Sequence, residues 1–349
     1  MIFDKLFSGE AASIFGIGYA DPITVGLICT GILLILVLSG VRVVFAASLA
    51  GIIGLVELIG VGPALGNVGA IPFSKSVTFV LGLLPIFILI GFLAFQAGIT
   101  KQLFQAAKAW VGFVPGGLAV ATVFATAGFA AVSGASTATA AVFARVAIPE
   151  MLKEGYDKKL AAGVVAAGGT LASLIPPSAI LIIYAIIVEE SVGALLLAGF
   201  LPGIFSALVY AGIIIIWAKM NPNLAPAIRK YSLNEKIKTL PGVLPIAIVI
   251  SVIISAIYAG WATPTEAGAL GAFVVLIIAL FKGIKIESLK FALMETAKLV
   301  AMIFSIIWGV LIFVRFLGFS GLPESFANWI ISLPFDPYMI LLMILMGYV

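Results

Sequence analysis

A chain of 349 residues that is 63% hydrophobic and only 10% charged, with a mean hydropathy of +1.29, cannot wet its own surface; soluble domains carry about 25% charged residues. The composition predicts an all-α polytopic membrane protein. It has no histidine for a zinc, haem or Ser-His centre, a single cysteine (Cys29) with no disulfide partner, no GxxxxGK[ST] phosphate loop, and a net charge of +4 that loop lysines explain without nucleic acid.

In chain order, the first 22 residues show no small-residue cleavage site, so no cleaved signal peptide is expected. Apolar runs then predict spans near 23–39, 43–60, 77–98, 160–188, 192–218, 242–259, 264–281 and 297–317. Residues 112–149 and 337–349 are apolar but do not read as simple crossings. If 112–149 enters and returns on one side and the N-terminus is periplasmic, every basic residue except Lys5, Lys75 and Arg315 falls on the cytoplasmic side. A single crossing there would put the later basic loops on the wrong side. The re-entrant arrangement is therefore preferred.

The broadest polar connection, 219–241, separates a first half (1–218) from a second (242–349). An offset of 220 pairs Gly40 with Gly260, Ala47 with Ala267, Gly51 with Gly271 and Gly98 with Gly318. With an odd number of crossings in the first half, the second starts from the opposite face. That is an inverted repeat of the kind found in secondary transporters.

Three polar features lie inside apolar stretches. The first is GFAAVSGASTATA, 128–140, between two arms each half a membrane long. Unwound backbone and hydroxyls at membrane depth are tolerated where they line a cavity or are buried, and their neutral hard oxygens suit a monovalent cation; close helix packing by small residues is the alternative. The second is GGTLASLIPPS, 168–178, where Pro176 and Pro177 remove two amide donors and free carbonyls around Ala172 and Leu174. A mechanical kink is the alternative there. The third is Thr263-Pro264-Thr265-Glu266, which reads as a helix start with Thr263 as cap, Pro264 in the first turn and Glu266 reaching back. A functional intramembrane carboxylate is the other reading of Glu266.

SGASTATAAVFARVAIPEM, GGTLASLIPPSAILIIYA, GFLPG and YAGWATPTEAGA, in that order, resemble the large membrane subunit of the tripartite ATP-independent periplasmic (TRAP) transporters. The similarity runs from about residue 23 to the end. It implies an elevator-type carrier in the bacterial inner membrane that takes up organic anions such as C4-dicarboxylates or sialic acid with sodium. It also implies a small four-helix membrane subunit and a periplasmic substrate-binding protein, surrounding lipid, and no cofactor beyond the coupling ion.

Carried over by position, the resemblance implies sodium ligation by Ser133, Gly134, Ala135 and Ser136 at the hairpin tip and by Ala172, Ile175 and Pro176 at the broken span. It places substrate against Ser136, Thr137, Thr170, Pro177 and Ser178. Two positions depart from the family pattern. Ala135 stands where the tip commonly has serine, and Ala172 where glycine is common. Backbone ligation survives both changes; hydroxyl ligation at 135 does not. The second hairpin tip of the family would fall near residue 353, so the sequence is expected to stop short of the second sodium site.

Three rivals remain at this level. A channel or scaffold subunit would need a continuous polar pore, and another hairpin-bearing family of anion carriers would share the tip chemistry. An intramembrane protease built on Ser133 would need a base, and neither histidine nor lysine lies near the tip in sequence.

Overall fold

The computed structural model describes residues 21–76, 79–188, 190–226 and 230–347; Lys5 and Arg229, which entered the charge count, lie outside them. Among the described residues there are fifteen α-helices and no strand. In chain order these are α1 (Pro22–Leu38), α2 (Val43–Ile59), α3 (Val61–Ser76), α4 (Leu83–Gln96), α5 (Ile99–Val111), α6 (Gly117–Ser133), α7 (Ser136–Lys153) and α8 (Lys158–Thr170). There follow α9 (Ala179–Ile187), α10 (Val192–Met220), α11 (Leu233–Tyr258), α12 (Pro264–Phe281), α13 (Ile286–Ser320), α14 (Leu322–Ile331) and α15 (Pro337–Gly347).

Helices α10 to α13 are each long and apolar enough to cross a membrane, and α4 with α5, bent by 71° at their junction, makes up to a fifth. Of the expected spans, 264–281 coincides with α12, while 242–259 and 297–317 extend backwards to Leu233 and Ile286. The extension of α11 has a local cause. Ser232 and Glu235 form a capping box that starts the helix while it is still polar, with Ser232 N–H donating to Glu235 Oε2 at 2.8 Å. Helices α1 and α2 have 17 residues each, about 26 Å of helix against a hydrocarbon core of about 30 Å. Helix α3, rich in glycine and proline, and the amphipathic α5 and α14 lie outside the expected spans.

The chain divides into two compact units, Met1–Thr78 with Ala301–Val349 and Phe79–Val300. In the first, α2 is studded with glycine so that other chain can come close. A methyl group on Gly51 would lie 2.9 Å from the backbone of Phe313, and one on Gly54 would enter the Phe316 ring. Small residues allow this approach, which substitutes for the hydrophobic drive that lipid cannot supply. Val25, Cys29, Leu55, Phe313 and Phe316 are the buried cluster that results. Arg315 donates to Asn67 Oδ1 at 3.3 Å.

The second unit is organised around α6, buried along nearly its whole length and touched by α4, α5, α7, α8, α10 and α11. The buried Tyr156, in the turn after α7, accepts the amide of Leu118 at 3.1 Å and so closes the start of α6. Glycines again set the seams. A methyl on Gly168 would sit 2.5 Å from Thr126 Oγ1, and one on Gly169 would sit 2.8 Å from Ala140 Cβ. Glycines in the left-handed region mark helix ends in both halves of the sequence. Gly40 (φ 84°) ends α1 and Gly260 (φ 68°) ends α11, while Gly98 (φ 71°) opens α5 and Gly321 (φ 64°) opens α14. Gly318, paired with Gly98 by the fixed offset, lies inside α13 instead.

Candidate functional site

The tip of the α6–α7 hairpin is made by two residues. Gly134 lies in the left-handed region (φ 61°), where only glycine is free of strain, and Ala135 is extended (φ −121°, ψ 115°). The Gly134 amide closes α6 on Ala130 O at 3.1 Å, and α7 begins immediately at Ser136. The helices meet at a glycine turn, as the sequence predicts, but with 17 and 18 residues, about 26 and 27 Å, they are longer than the half-membrane arms expected.

The tip is joined to the break in the following segment. The Ala179 amide donates to Gly134 O at 2.8 Å, and a methyl group on Gly134 would run into the carbonyl oxygen of Pro177. The break itself is built stepwise. Helix α8 ends at Thr170, one 3-10 turn covers Leu171–Ser173, and Leu171 O accepts from both Leu174 and Ile175 amides at 3.0 and 2.8 Å. Pro176 and Pro177, joined by a cis peptide bond, then offer no amide hydrogens. Ser178 restarts the helix: its hydroxyl donates to Ser173 O at 2.8 Å and accepts the Leu181 amide at 3.4 Å. Ser173 O is therefore satisfied by a side chain, whereas Ala172 O, which would look to Pro176, has no helical donor. Behind the break α10 presents Gly203, where a methyl would be 2.6 Å from Ile175 Cγ1.

Ser133 is 1% exposed, and its hydroxyl shares a 2.8 Å hydrogen bond with that of the fully buried Thr139. Neither Thr139 nor the glycine beside it on α4 was expected from sequence; a methyl on Gly91 would lie 2.7 Å from Ser133 Cβ. The spacing of Ser136 and Thr139 on one helical face was the available signal for the threonine. Gly91, within an unbroken apolar run, offered none.

The structure brings Ser133, Gly134, Ala135, Ala172, Ile175, Pro176, Pro177 and Ser178 into one buried region, with Ser136 half-buried and Thr137 exposed at the start of α7. Thr170 has other company. Its hydroxyl donates to Ala167 O at 2.7 Å and shares a 3.2 Å hydrogen bond with Tyr210 on α10. A pocket of about 400 Å³ adjoins Pro176 and Pro177, but its walls are Leu196, Phe200, Ile253 and Ile254 with little polar surface. Such walls would strip a carboxylate of water without replacing its hydrogen bonds.

The donors at the junction are hydroxyls and carbonyls, neutral and hard, a set that fits a partly dehydrated monovalent cation. Thr263 and Glu266, by contrast, serve the start of α12. Thr263 N–H donates to Glu266 Oε2 at 2.7 Å and Glu266 N–H to Thr263 Oγ1 at 3.4 Å, a complete capping box. Glu266→Ala, which removes the acceptor, is therefore expected to lower the yield and melting temperature of the protein. Uptake per folded molecule should stay near wild type, as measured by flux normalised to folded protein.

Compared with protein families, residues 27–349 match the model of the tripartite ATP-independent periplasmic transporter, DctM component. The chain belongs to this family. It is 36% identical over 274 residues to the C4-dicarboxylate TRAP transporter large permease protein DctM of Pseudomonas aeruginosa, covering 78% of this chain and 64% of that protein. It is 30% identical over 337 residues to the isethionate TRAP transporter permease protein DctMQ of Oleidesulfovibrio alaskensis, covering 96% of this chain and 52% of the relative. With the sialic acid TRAP transporter large permease protein SiaM of Vibrio cholerae it shares 29% identity over 268 residues, 76% of this chain and 62% of the relative. The chain thus spans between half and two thirds of the length of these three DctM relatives. Membership in a transporter permease family displaces both the protease built on Ser133 and the carrier of a different hairpin-bearing family.

Proposed function

We propose that this chain forms the membrane carrier of a sodium-coupled uptake system for an organic anion of the kind its relatives are named for: a C4-dicarboxylate, sialic acid or a similar acid. The observation that carries the reading is the junction of tip and break, where the Ala179 amide meets Gly134 O at 2.8 Å beside the buried pair Ser133 and Thr139. In this reading sodium is bound by the Ser133 hydroxyl with backbone oxygens at 134–136 and at Ala172, Ile175 and Pro176. Occupation of that site stabilises the bend that presents Ser136, Thr137, Pro177 and Ser178 to the anion. Thr170 acts on the seam between α8 and α10, where it is tied to Tyr210.

The residues 1–218 and 242–349 are then two inverted repeats joined by 219–241, and carriage is an elevator movement in the bacterial inner membrane with the N-terminus periplasmic. A periplasmic binding protein delivers the substrate, and a small four-helix membrane subunit completes the complex. No resident cofactor is required, since the ion is cargo. A passive channel is less well supported, because the polar groups form one buried junction instead of a continuous polar path.

The test is uptake by the full-length protein reconstituted with its small subunit and binding protein. Labelled C4-dicarboxylate and sialic acid should accumulate with sodium outside and fall to background when choline replaces it. Uptake that persists in choline would overturn the coupling.

A further inference from the structure

The second unit holds a charged pocket that the carrier reading does not use. It has a volume of about 610 Å³ and lies where the length of α5 meets the last turns of α7 and the first turns of α11. Five cations line it (Lys101, Lys108, Arg145, Lys153 and Lys238) against two carboxylates, Glu150 and Glu235. The carboxylates are committed. Glu150 faces Lys108 at 3.6 Å and Lys153 at 3.8 Å, Lys108 also reaches Glu154 at 3.1 Å, and Glu235 Oε2 accepts the Ser232 amide at 2.8 Å. Lys101, Arg145 and Lys238 have no ion-pair partner among the described residues. Three cations therefore converge on one opening with no protein anion assigned to them.

The setting selects the ligand. Helix α5 is amphipathic and is bent by 71° from α4. It buries Leu103 and Ala106 on one side, while Lys101, Gln105 and Lys108, with the buried Phe104 between them, share the pocket-facing side. Trp110 and Phe113, just beyond, are exposed, and the Lys236 ammonium sits 5.9 and 5.2 Å from their ring centres. Leu233 and Leu240 of α11 are exposed beside them. A basic amphipathic helix with an aromatic edge and apolar flanks is the arrangement that holds an acidic lipid by its headgroup and lets its chains run along the protein. The junction of tip and break is elsewhere: nine residues of α7 separate Ser136 from Arg145, about 13 Å of helix.

We propose that this pocket binds the phosphate of an anionic phospholipid headgroup, with Lys101, Arg145 and Lys238 as the charge-bearing contacts. Such a lipid would tie α5, α7 and α11 together at the membrane surface. The site is independent of sodium coupling and of which anion is carried.

The test is native mass spectrometry and thermal unfolding of the full-length protein in detergent. The probes are phosphatidylglycerol, phosphatidylcholine with the same chains, and inorganic phosphate. Phosphatidylglycerol should be retained in preference to phosphatidylcholine and should raise the unfolding temperature. Replacing Lys101, Arg145 and Lys238 together by glutamine should weaken its retention about 100-fold, at about fivefold per cation. The charge-matched set Lys158→Gln, Lys285→Gln and Lys290→Gln, away from the pocket, should leave retention unchanged. If the pocket triple is not recovered folded, Arg145→Gln alone should show the roughly fivefold loss. Equal retention of the two lipids, an equal loss from both triples, or unaltered retention in Arg145→Gln would each overturn the proposal. Full stabilisation by inorganic phosphate without lipid preference would also overturn it, in favour of a soluble anion. Sodium-dependent uptake is read separately, so failure of either proposal leaves the other standing.

Discussion

Gly134→Ala is expected to abolish sodium-driven uptake, whereas Gly163→Ala should leave it at the wild-type rate and slightly raise the melting temperature. At Gly134 a side chain must adopt a left-handed conformation (φ 61°), costing about 1–2 kcal/mol, and its methyl group meets the Pro177 carbonyl oxygen. That oxygen belongs to the backbone and has no rotamer to yield. Relief comes only by moving tip and break apart, which also gives up the Ala179-to-Gly134 hydrogen bond, worth about 1 kcal/mol net. The combined penalty, about 2–3 kcal/mol on the closed junction alone, corresponds to about a 30- to 150-fold loss of sodium affinity. Gly163, in α8, has open space around it, and alanine there gains up to about 1 kcal/mol of helix propensity. Flux in proteoliposomes as a function of sodium, with unfolding followed in detergent, separates the two. Wild-type sodium dependence in Gly134→Ala would remove the junction from the mechanism.

The second large effect isolates one hydroxyl. Ser133→Ala keeps the tip backbone and removes the oxygen that faces Thr139 at 2.8 Å, leaving a buried hydroxyl to find another partner. A lost ligand or buried hydrogen bond of about 1–2 kcal/mol raises the sodium concentration for half-maximal uptake about 5- to 30-fold. Ser191→Ala provides the comparison. That hydroxyl accepts the Ala194 amide at 3.4 Å at the exposed start of α10, so its removal costs a helix cap and nothing at the junction. Both variants lose stability, and only Ser133→Ala should shift the sodium curve. Equal shifts would mean that general destabilisation, not ligation, links Ser133 to sodium.

What hydropathy could reveal here was set by what hydropathy measures. It found α12 at 264–281 to the residue, and the glycine among hydroxyls inside the apolar run 112–149 marked the turn between α6 and α7, because it is a local signal. It passed over α3 and α5, whose glycine, proline, lysine and glutamine dilute the average while leaving the backbone helical. The junction was half legible. Pro176 and Pro177 announce a break from their own chemistry, and Gly134 announces a turn. That Gly134 O receives the Ala179 amide, and that Gly91 opens the space Ser133 occupies, are contacts between distant segments with no trace in local composition. Charges were similar. Counted by loop, the basic residues indicated a side of the membrane, but only the fold gathers Lys101, Arg145 and Lys238 around one opening.

The split of the first unit between the two ends of the chain bears on how the protein is made. Gly51 and Gly54 are shaped for Phe313 and Phe316, so the partner of α2 is synthesised some 260 residues after α2 itself. At about 5–20 residues per second that is a wait of about 13–52 s. During it the glycine-lined face of α2 has no native partner, while the unit from Phe79 to Val300 is completed in one continuous stretch. A ribosome that stalls before residue 313 would thus leave a finished middle and an open α2, an exposed seam for membrane quality control to recognise.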